Sequence, residues 1–197
     1  PAPKSVKIEL TGRCNFRCGF CALRTRQVQP KGDMDFGFFQ RITNEMRAAG
    51  VEEIGCFYLG ESCSAPELLV KAIQHVKDIG FPYCFLTTNG SLLTSELADR
   101  CMAAGLDSLK FSINAADAEQ FLEVMQVKPR LFHDALNNLR RARRIRDQGG
   151  YATGIYVSSI RYDGDQQKKM EALIKGKVLP YVDQHYWLPL YSMGSLA

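Results

Sequence analysis

Apolar and polar positions change period along this chain in a regular alternation. Ser5-Val6-Lys7-Ile8-Glu9-Leu10 is apolar at every second residue, the pattern of a strand with two distinct faces. Across residues 35–49 the apolar side chains Phe38, Phe39, Ile42 and Met46 fall at helical spacing, and Gly50 supplies a C-terminal stop. Residues 53–59 predict a second strand, and 66–79 a second helix stopped by Gly80 with Pro82 just beyond. The cycle continues with a strand at 83–87, a helix at 94–104 closed by Gly105, and a strand at 108–113. Helices at 116–124 and 131–146, a β-branched strand at 152–160, a helix at 166–175 and a last strand at 184–190 complete it. That is six β/α units, the last strand having no helix after it. There is no low-complexity segment, linker or short internal repeat. Repeated units with short connections imply right-handed crossovers and a parallel sheet with helices outside, left open or closed partly or wholly into a barrel. In either form ligands bind at the carboxyl ends of the strands.

Composition adds limits to this α/β reading. A length of 197 residues fits one domain or one cut from something longer, and 46% hydrophobic with 23% charged residues excludes a disordered or fibrous chain. No apolar run approaches the roughly 18 residues a membrane span needs, so no membrane partner is expected. The start, Pro1-Ala2-Pro3-Lys4, has neither an initiator Met nor the apolar stretch of a signal peptide, and predicts a trimmed sequence. The net charge of +4 changes little. The run Arg140-Arg141-Ala142-Arg143-Arg144-Ile145-Arg146 lies on a helical pattern without interleaved aromatics. It predicts a solvated helix face, not a nucleic-acid surface. Seven cysteines cannot all pair, and the chain is neither small nor evidently secreted, so a reducing, cytoplasmic setting is expected. Cys56, Cys63, Cys84 and Cys101 stand singly and read as small buried hydrophobes.

The other three cysteines carry the chemistry. Directly after the first strand comes Cys14-Asn15-Phe16-Arg17-Cys18-Gly19-Phe20-Cys21, a C-x3-C-x2-C spacing in a loop at a strand's carboxyl end. Three thiolates this close can converge on one inorganic centre. A structural zinc needs four ligands, and the histidines (His75, His133, His185) are far off in sequence; a three-cysteine catalytic zinc remains an alternative. An iron–sulfur cluster on three cysteines leaves one iron open to a substrate or cofactor. Three unligated, exposed thiols would oxidise.

With Phe20 before the last cysteine, this motif resembles the signature of the radical S-adenosylmethionine (radical SAM) superfamily. The resemblance covers almost the whole chain and implies a partial (β/α)6 barrel. It also implies a [4Fe–4S] cluster on Cys14, Cys18 and Cys21, whose unique iron takes the amine and carboxylate of S-adenosylmethionine. Further positions match one by one. Leu59-Gly60-Glu61-Ser62 resembles the family's Gly-Gly-Glu-Pro turn at Gly60 and Glu61, departing at Leu59 and Ser62, and implies that Glu61 meets the methionine ammonium. Such a contact is a charge-assisted hydrogen bond. Thr87-Thr88-Asn89-Gly90 resembles the Thr-Asn-Gly turn, which brings Asn89 to the cofactor, though Asn-Gly also suits a purely structural turn. Period two puts Lys110, Ser112 and Asn114 on one face of the fourth strand. There Ser112 and Asn114 resemble the family's Ser-x-Asp, with Asn for Asp, and are implied to contact the cofactor carboxylate and ribose. Ser158 on the fifth strand, which shares a face with Tyr156, is a ribose candidate. Phe20 and the strand around Leu188 would flank the adenine. Arg17, Arg24 and Arg26 are candidates for a basic lining.

The resemblance further implies an external one-electron reductant of flavodoxin or ferredoxin type. It implies an enzyme that abstracts hydrogen from an organic substrate such as a peptide, a protein side chain or a sugar. No acid, base or nucleophile is singled out. The motif spacing is closest to the SPASM or twitch branch, so residues 1–197 are expected to form one core domain preceding a C-terminal auxiliary iron–sulfur domain. The contrasting class is a non-catalytic iron–sulfur or zinc protein serving electron transfer or structure, for which four protein ligands would be usual.

Overall fold

The computed structural model describes residues 2–24 and 32–190. Six parallel strands form one sheet in chain order, β1 (Ser5–Lys7), β2 (Glu53–Gly55), β3 (Tyr83–Thr88), β4 (Ser108–Ser112), β5 (Gly154–Ile160) and β6 (Gln184–Leu188), with β1 and β6 at the edges. Between them run α1 (Phe36–Ala48), α2 (Pro66–Asp78), α3 (Ser95–Ala103), α4 (Ala118–Met125) and α5 (Arg130–Gly149), with α6 (Gly164–Leu173) between β5 and β6. This is the expected α/β alternation in the form of an open, partial (β/α)6 barrel.

The helix starts follow side-chain capping. Asp35, Thr94 and Asp117 accept hydrogen bonds from the backbone N–H groups of Phe38, Leu97 and Gln120. Each answers one of the donors a helix leaves unpaired at its start. The first two strands are shorter than their alternation predicts. After Lys7 the ladder ends with Ile8 N–H donating to the Gly55 carbonyl. Beyond it the backbone N–H groups of Leu59 and Gly60 turn to the Glu9 carboxylate instead. The two-faced pattern thus outlasts the pairing.

The outer face of the sheet is the core: Ile54, Cys56, Cys84, Leu86, Leu109, Phe111, Ile155 and Val157 are buried against Leu69, Ile73, Val76, Leu97 and Leu139 of the helices. The four single cysteines lie in this layer as free thiols, with Cys56 and Cys84 sulfurs 3.8 Å apart. The inner face is smaller and more polar, with Gly55, Thr87, Ser108, Lys110, Ser112 and Ser158 among its residues.

The arginine run is only in part the solvated face that its helical pattern predicts, with Arg141 and Arg144 exposed and the other three engaged. Arg146, 13% exposed, donates to Asp147 and Asp183, and Arg143 pairs with the same two carboxylates. Arg140 lies over the Tyr181 ring. These guanidiniums fasten α5 to the entry of β6, which leaves little of the run for a polyanion. Among the described residues no helix is long and apolar enough to cross a membrane.

Candidate active site

The cysteine loop leaves the carboxyl end of β1 and is clamped onto the end of α4. Arg17 and Gly19 N–H donate to the Met125 and Val124 carbonyls, and the Cys18 thiol lies 3.2 Å from the Met125 sulfur. Phe16 is buried edge-on to Phe121, 5.2 Å between ring centres. Burial, with the charges of Glu61 and Cys21, pushes the Cys14 thiol up to about 11 even though the Phe16 N–H opposes it. Burial and the charges of Cys14 and Cys21 push Cys18 up to about 12. The three thiols are thus near enough to repel one another as thiolates, in a partly desolvated site beside a carboxylate.

That donor set suits a cationic inorganic group, which would reverse the repulsion and release the protons. Among the described residues no group of three or more His, Cys, Asp or Glu is arranged to hold a single metal ion. Three thiols are one short of the four ligands of a structural zinc and suit an iron–sulfur cluster with one iron left open. Arg17 is an exposed surface charge, while Arg26 and the side chain of Arg24 lie outside the described residues.

The ends of β2 and β3 meet beside this loop. Gly60 has no room for a side chain, since a Cβ there would stand 1.9 Å from the Thr11 carbonyl oxygen. Its backbone packs on that of the cysteine loop, and Glu61 N–H donates to the Arg13 carbonyl. The Glu61 side chain is 4% exposed. It accepts from Thr88 Oγ1 at 2.7 Å, Asn89 N–H at 2.7 Å and Cys63 N–H at 3.0 Å. A carboxylate offers about four lone-pair sites, so one is left. The Asn89 amide donates to Asn15 Oδ1 and accepts from the backbone and hydroxyl of Ser91, while Asn15 donates to Ser91 Oγ. This network stitches the cysteine loop to the end of β3. Gly90 follows at φ +77°, where a Cβ would strike the Phe111 ring.

Asn89, Ser112 and Asn114 come together around a small hollow that Phe16 and Met125 also line. Asn114 bridges two strand ends, its Oδ1 accepting from Ile160 N–H and its carbonyl from the Tyr162 hydroxyl. Burial and the charge of Cys18 push the Tyr162 hydroxyl up to about 12. Ser158 is not on this hollow. It is the register partner of Ser112 but opens, with Tyr156 and Leu188, onto a larger neighbouring cavity on the inner face of β3 to β6. Phe20 is half-buried against the core.

The sequence pattern did not single out Glu9, Asn15, Met125 or Tyr162 as site residues. Asn15 lies inside the cysteine motif and Glu9 at a polar position of the alternation that continues past β1, so both left a signal. Met125 reaches the loop and Tyr162 reaches Asn114 across 107 and 48 residues of chain, which no local pattern reports.

A model of the radical SAM superfamily matches residues 8–176. Among curated proteins, the Pyrococcus furiosus tungsten-containing aldehyde ferredoxin oxidoreductase cofactor-modifying protein is 31% identical over 120 residues, 59% of this chain and 32% of that protein. A PqqA peptide cyclase of Methylobacterium is 31% identical over 118 residues, 60% of this chain and 30% of its own. This chain therefore spans about a third of the length of the curated relatives it matches. Among solved structures, Streptococcus suis SuiB bound to S-adenosylmethionine superposes with a TM-score of 0.75 at 15% identity, over 99% of this chain and 42% of SuiB. Methylornithine synthase superposes with a TM-score of 0.70 at 16% identity, over 95% of this chain and 53% of its own. These two likenesses concern the fold. With its three-cysteine loop after β1 and the family model running from that loop through β2 to β5, this chain belongs to the radical SAM superfamily.

Proposed function

We propose that this chain is the catalytic core of an enzyme in which Cys14, Cys18 and Cys21 hold a [4Fe–4S] cluster and the ends of β2 to β5 hold S-adenosylmethionine. The observation that carries the reading is the loop itself: three buried-edge thiols, one short of four, beside a carboxylate and an amide network at the carboxyl ends of the strands. The chemistry such a group supplies when bound is one-electron cleavage of S-adenosylmethionine to methionine and a 5′-deoxyadenosyl radical, which takes hydrogen from an organic substrate.

This chain's residues bind, orient and exclude water. Cys14 and Cys18 give up their protons on ligation. Glu61 has one acceptor position left for the methionine ammonium, and Gly60 lets the backbone approach. Asn89, Ser112 and Asn114 line the hollow where carboxylate and ribose would lie. Ser158 belongs to the ribose end, and Phe20 to the adenine. Phe16, Phe121 and Met125 keep water from the thiols.

A peptide, protein side chain or sugar is the proposed substrate class. The PqqA peptide cyclase relative and the fold shared with SuiB, solved with the precursor peptide SuiA, support the peptide arm. A flavodoxin- or ferredoxin-type protein is the proposed reductant. The free thiols support a cytoplasmic setting. The relatives' greater length supports an auxiliary iron–sulfur domain after this core.

The test is anaerobic reconstitution with iron and sulfide, then reduction and EPR with and without S-adenosylmethionine, with 5′-deoxyadenosine assayed. A cluster signal that shifts on adding cofactor, with deoxyadenosine formed, is expected, and Cys18→Ala should lose both. Uptake of zinc without a cluster, or a cluster indifferent to the cofactor, would overturn the reading.

A further inference from the structure

The larger cavity has a chemistry of its own. It encloses about 480 Å3 on the inner face of β3 to β6 and is walled by Tyr83, Phe85, Tyr156 and Tyr186 around Lys110. That volume lies within the range of sites that hold small molecules or single side chains. The rings stand in two tilted pairs, Tyr83 with Phe85 at 5.9 Å and Tyr156 with Tyr186 at 6.1 Å. They offer an apolar slot on either side of one ammonium.

Lys110 has no carboxylate partner among the described residues. The acids at the neighbouring strand starts are engaged elsewhere, Asp107 by Lys77 and Asp183 by Arg143 and Arg146. The charge that Lys110 does feel is Lys7 of β1, of its own sign, which itself lies over the Phe57 ring. Burial and Lys7 together lower the Lys110 pKa. Its register neighbour Thr87 presents a buried hydroxyl with no hydrogen-bond partner. A half-buried cation facing a like charge, beside an orphan hydroxyl, is unfavourable unless an anion completes the site.

We propose that this cavity is a substrate subsite for an anionic oxygen group, carboxylate or phosphate, carried on an apolar stem, with Lys110 recognising the charge. The inference rests on the radical reading for what happens at the other end of the substrate. Lys110 and Tyr156 are register partners two residues before Ser112 and Ser158, so the anion sits about 7 Å deeper than the level of those serines. A substrate held there by its charge presents a more distant part of its skeleton to the cofactor end.

Isothermal titration calorimetry reads occupancy, because the Trp187 ring packs beside His185 on the outer face of β6, away from the cavity. Hydrocinnamate and phenyl phosphate are the probes, with hydrocinnamamide as the neutral control, on this chain without cluster. Either anion should bind saturably, and the amide should bind about tenfold more weakly or not at all, the scale of one charge-assisted hydrogen bond. Binding of hydrocinnamate alone identifies a carboxylate site, and of phenyl phosphate alone a phosphate site. Lys110→Met should weaken the anions by about tenfold, while Lys110→Arg keeps most of the affinity. Equal binding of anion and amide, unchanged anion binding by Lys110→Met, or no binding of any probe would overturn the proposal. Cys18→Ala should bind the probes as the parent does. A failed cluster assay therefore leaves this result standing, and the reverse also holds.

Discussion

Glu61 shows how one residue can be both buried scaffold and candidate ligand. Its carboxylate collects donors from the end of β3 and from its own turn, joining two strand ends under the cysteine loop. Glu61→Gln places an amide N–H2 where at least one of those donors points. The expected stability loss is about 1–3 kcal/mol, the cost of leaving a buried donor unsatisfied, alongside weaker S-adenosylmethionine binding by the reconstituted protein. Urea denaturation and equilibrium dialysis separate the two effects. If the variant binds cofactor as the parent does, the ammonium role is wrong, whatever happens to stability. The Gly60-Glu61 pair was legible because the turn after the second strand resembles the family's Gly-Gly-Glu-Pro at those two positions. The demand on Gly60 was not, since it comes from Thr11 backbone across the fold.

At the scale of elements, α5 does more than cover the sheet. Asn138, buried on its inner side, donates to both the Gly90 and the Ser91 carbonyls. A helix residue thus holds the turn that positions Asn89. Asn138→Ala should cost about 1–3 kcal/mol and raise hydrogen exchange selectively in the turn at 89–91. A uniform rise across the sheet, with no excess at that turn, would show that Asn138 serves only global stability. The same helix explains the arginine run, because Arg143 and Arg146 face the aspartates of α5 and of the β6 entry. Spacing placed these arginines on a helix; only packing decided that they are ion-paired.

For the molecule as a whole, acid should loosen the β6 edge first. Burial alone would push the Asp183 carboxyl up, but hydrogen bonds from Arg146 and from Ile155 N–H, with the nearby guanidinium charges, hold it below the usual carboxylate range. A lowered folded pKa gives stability that is present above the unfolded value of about 3.9 and is lost as pH falls through the folded one. His185, on β6 beside Ser159, is lowered by burial, so its contribution is full above about pH 6.5 and fades as pH drops below it. Denaturant midpoints should therefore fall in two stages on acidification. Asp183→Asn should flatten the lower stage and His185→Gln the upper. Midpoints in either variant that track the parent at every pH would refute the corresponding assignment.

The sequence by itself determined the order and kind of the elements, the strand carrying each motif, and the thiol loop. All of these are local: the period of burial, the capping side chains and the ligand spacing are properties of neighbouring residues. Tertiary structure alone decided that β1 and β2 stop pairing early in favour of Glu9, and that Ser112 and Ser158, though register partners, open onto different spaces. It alone brought Met125 to the cysteines and Tyr162 to Asn114, and left Lys110 under the like charge of Lys7 among rings from three strands. Those features depend on which distant side chains meet across the sheet. Hydrogen bonding and charge compensation are settled there, after the chain has folded.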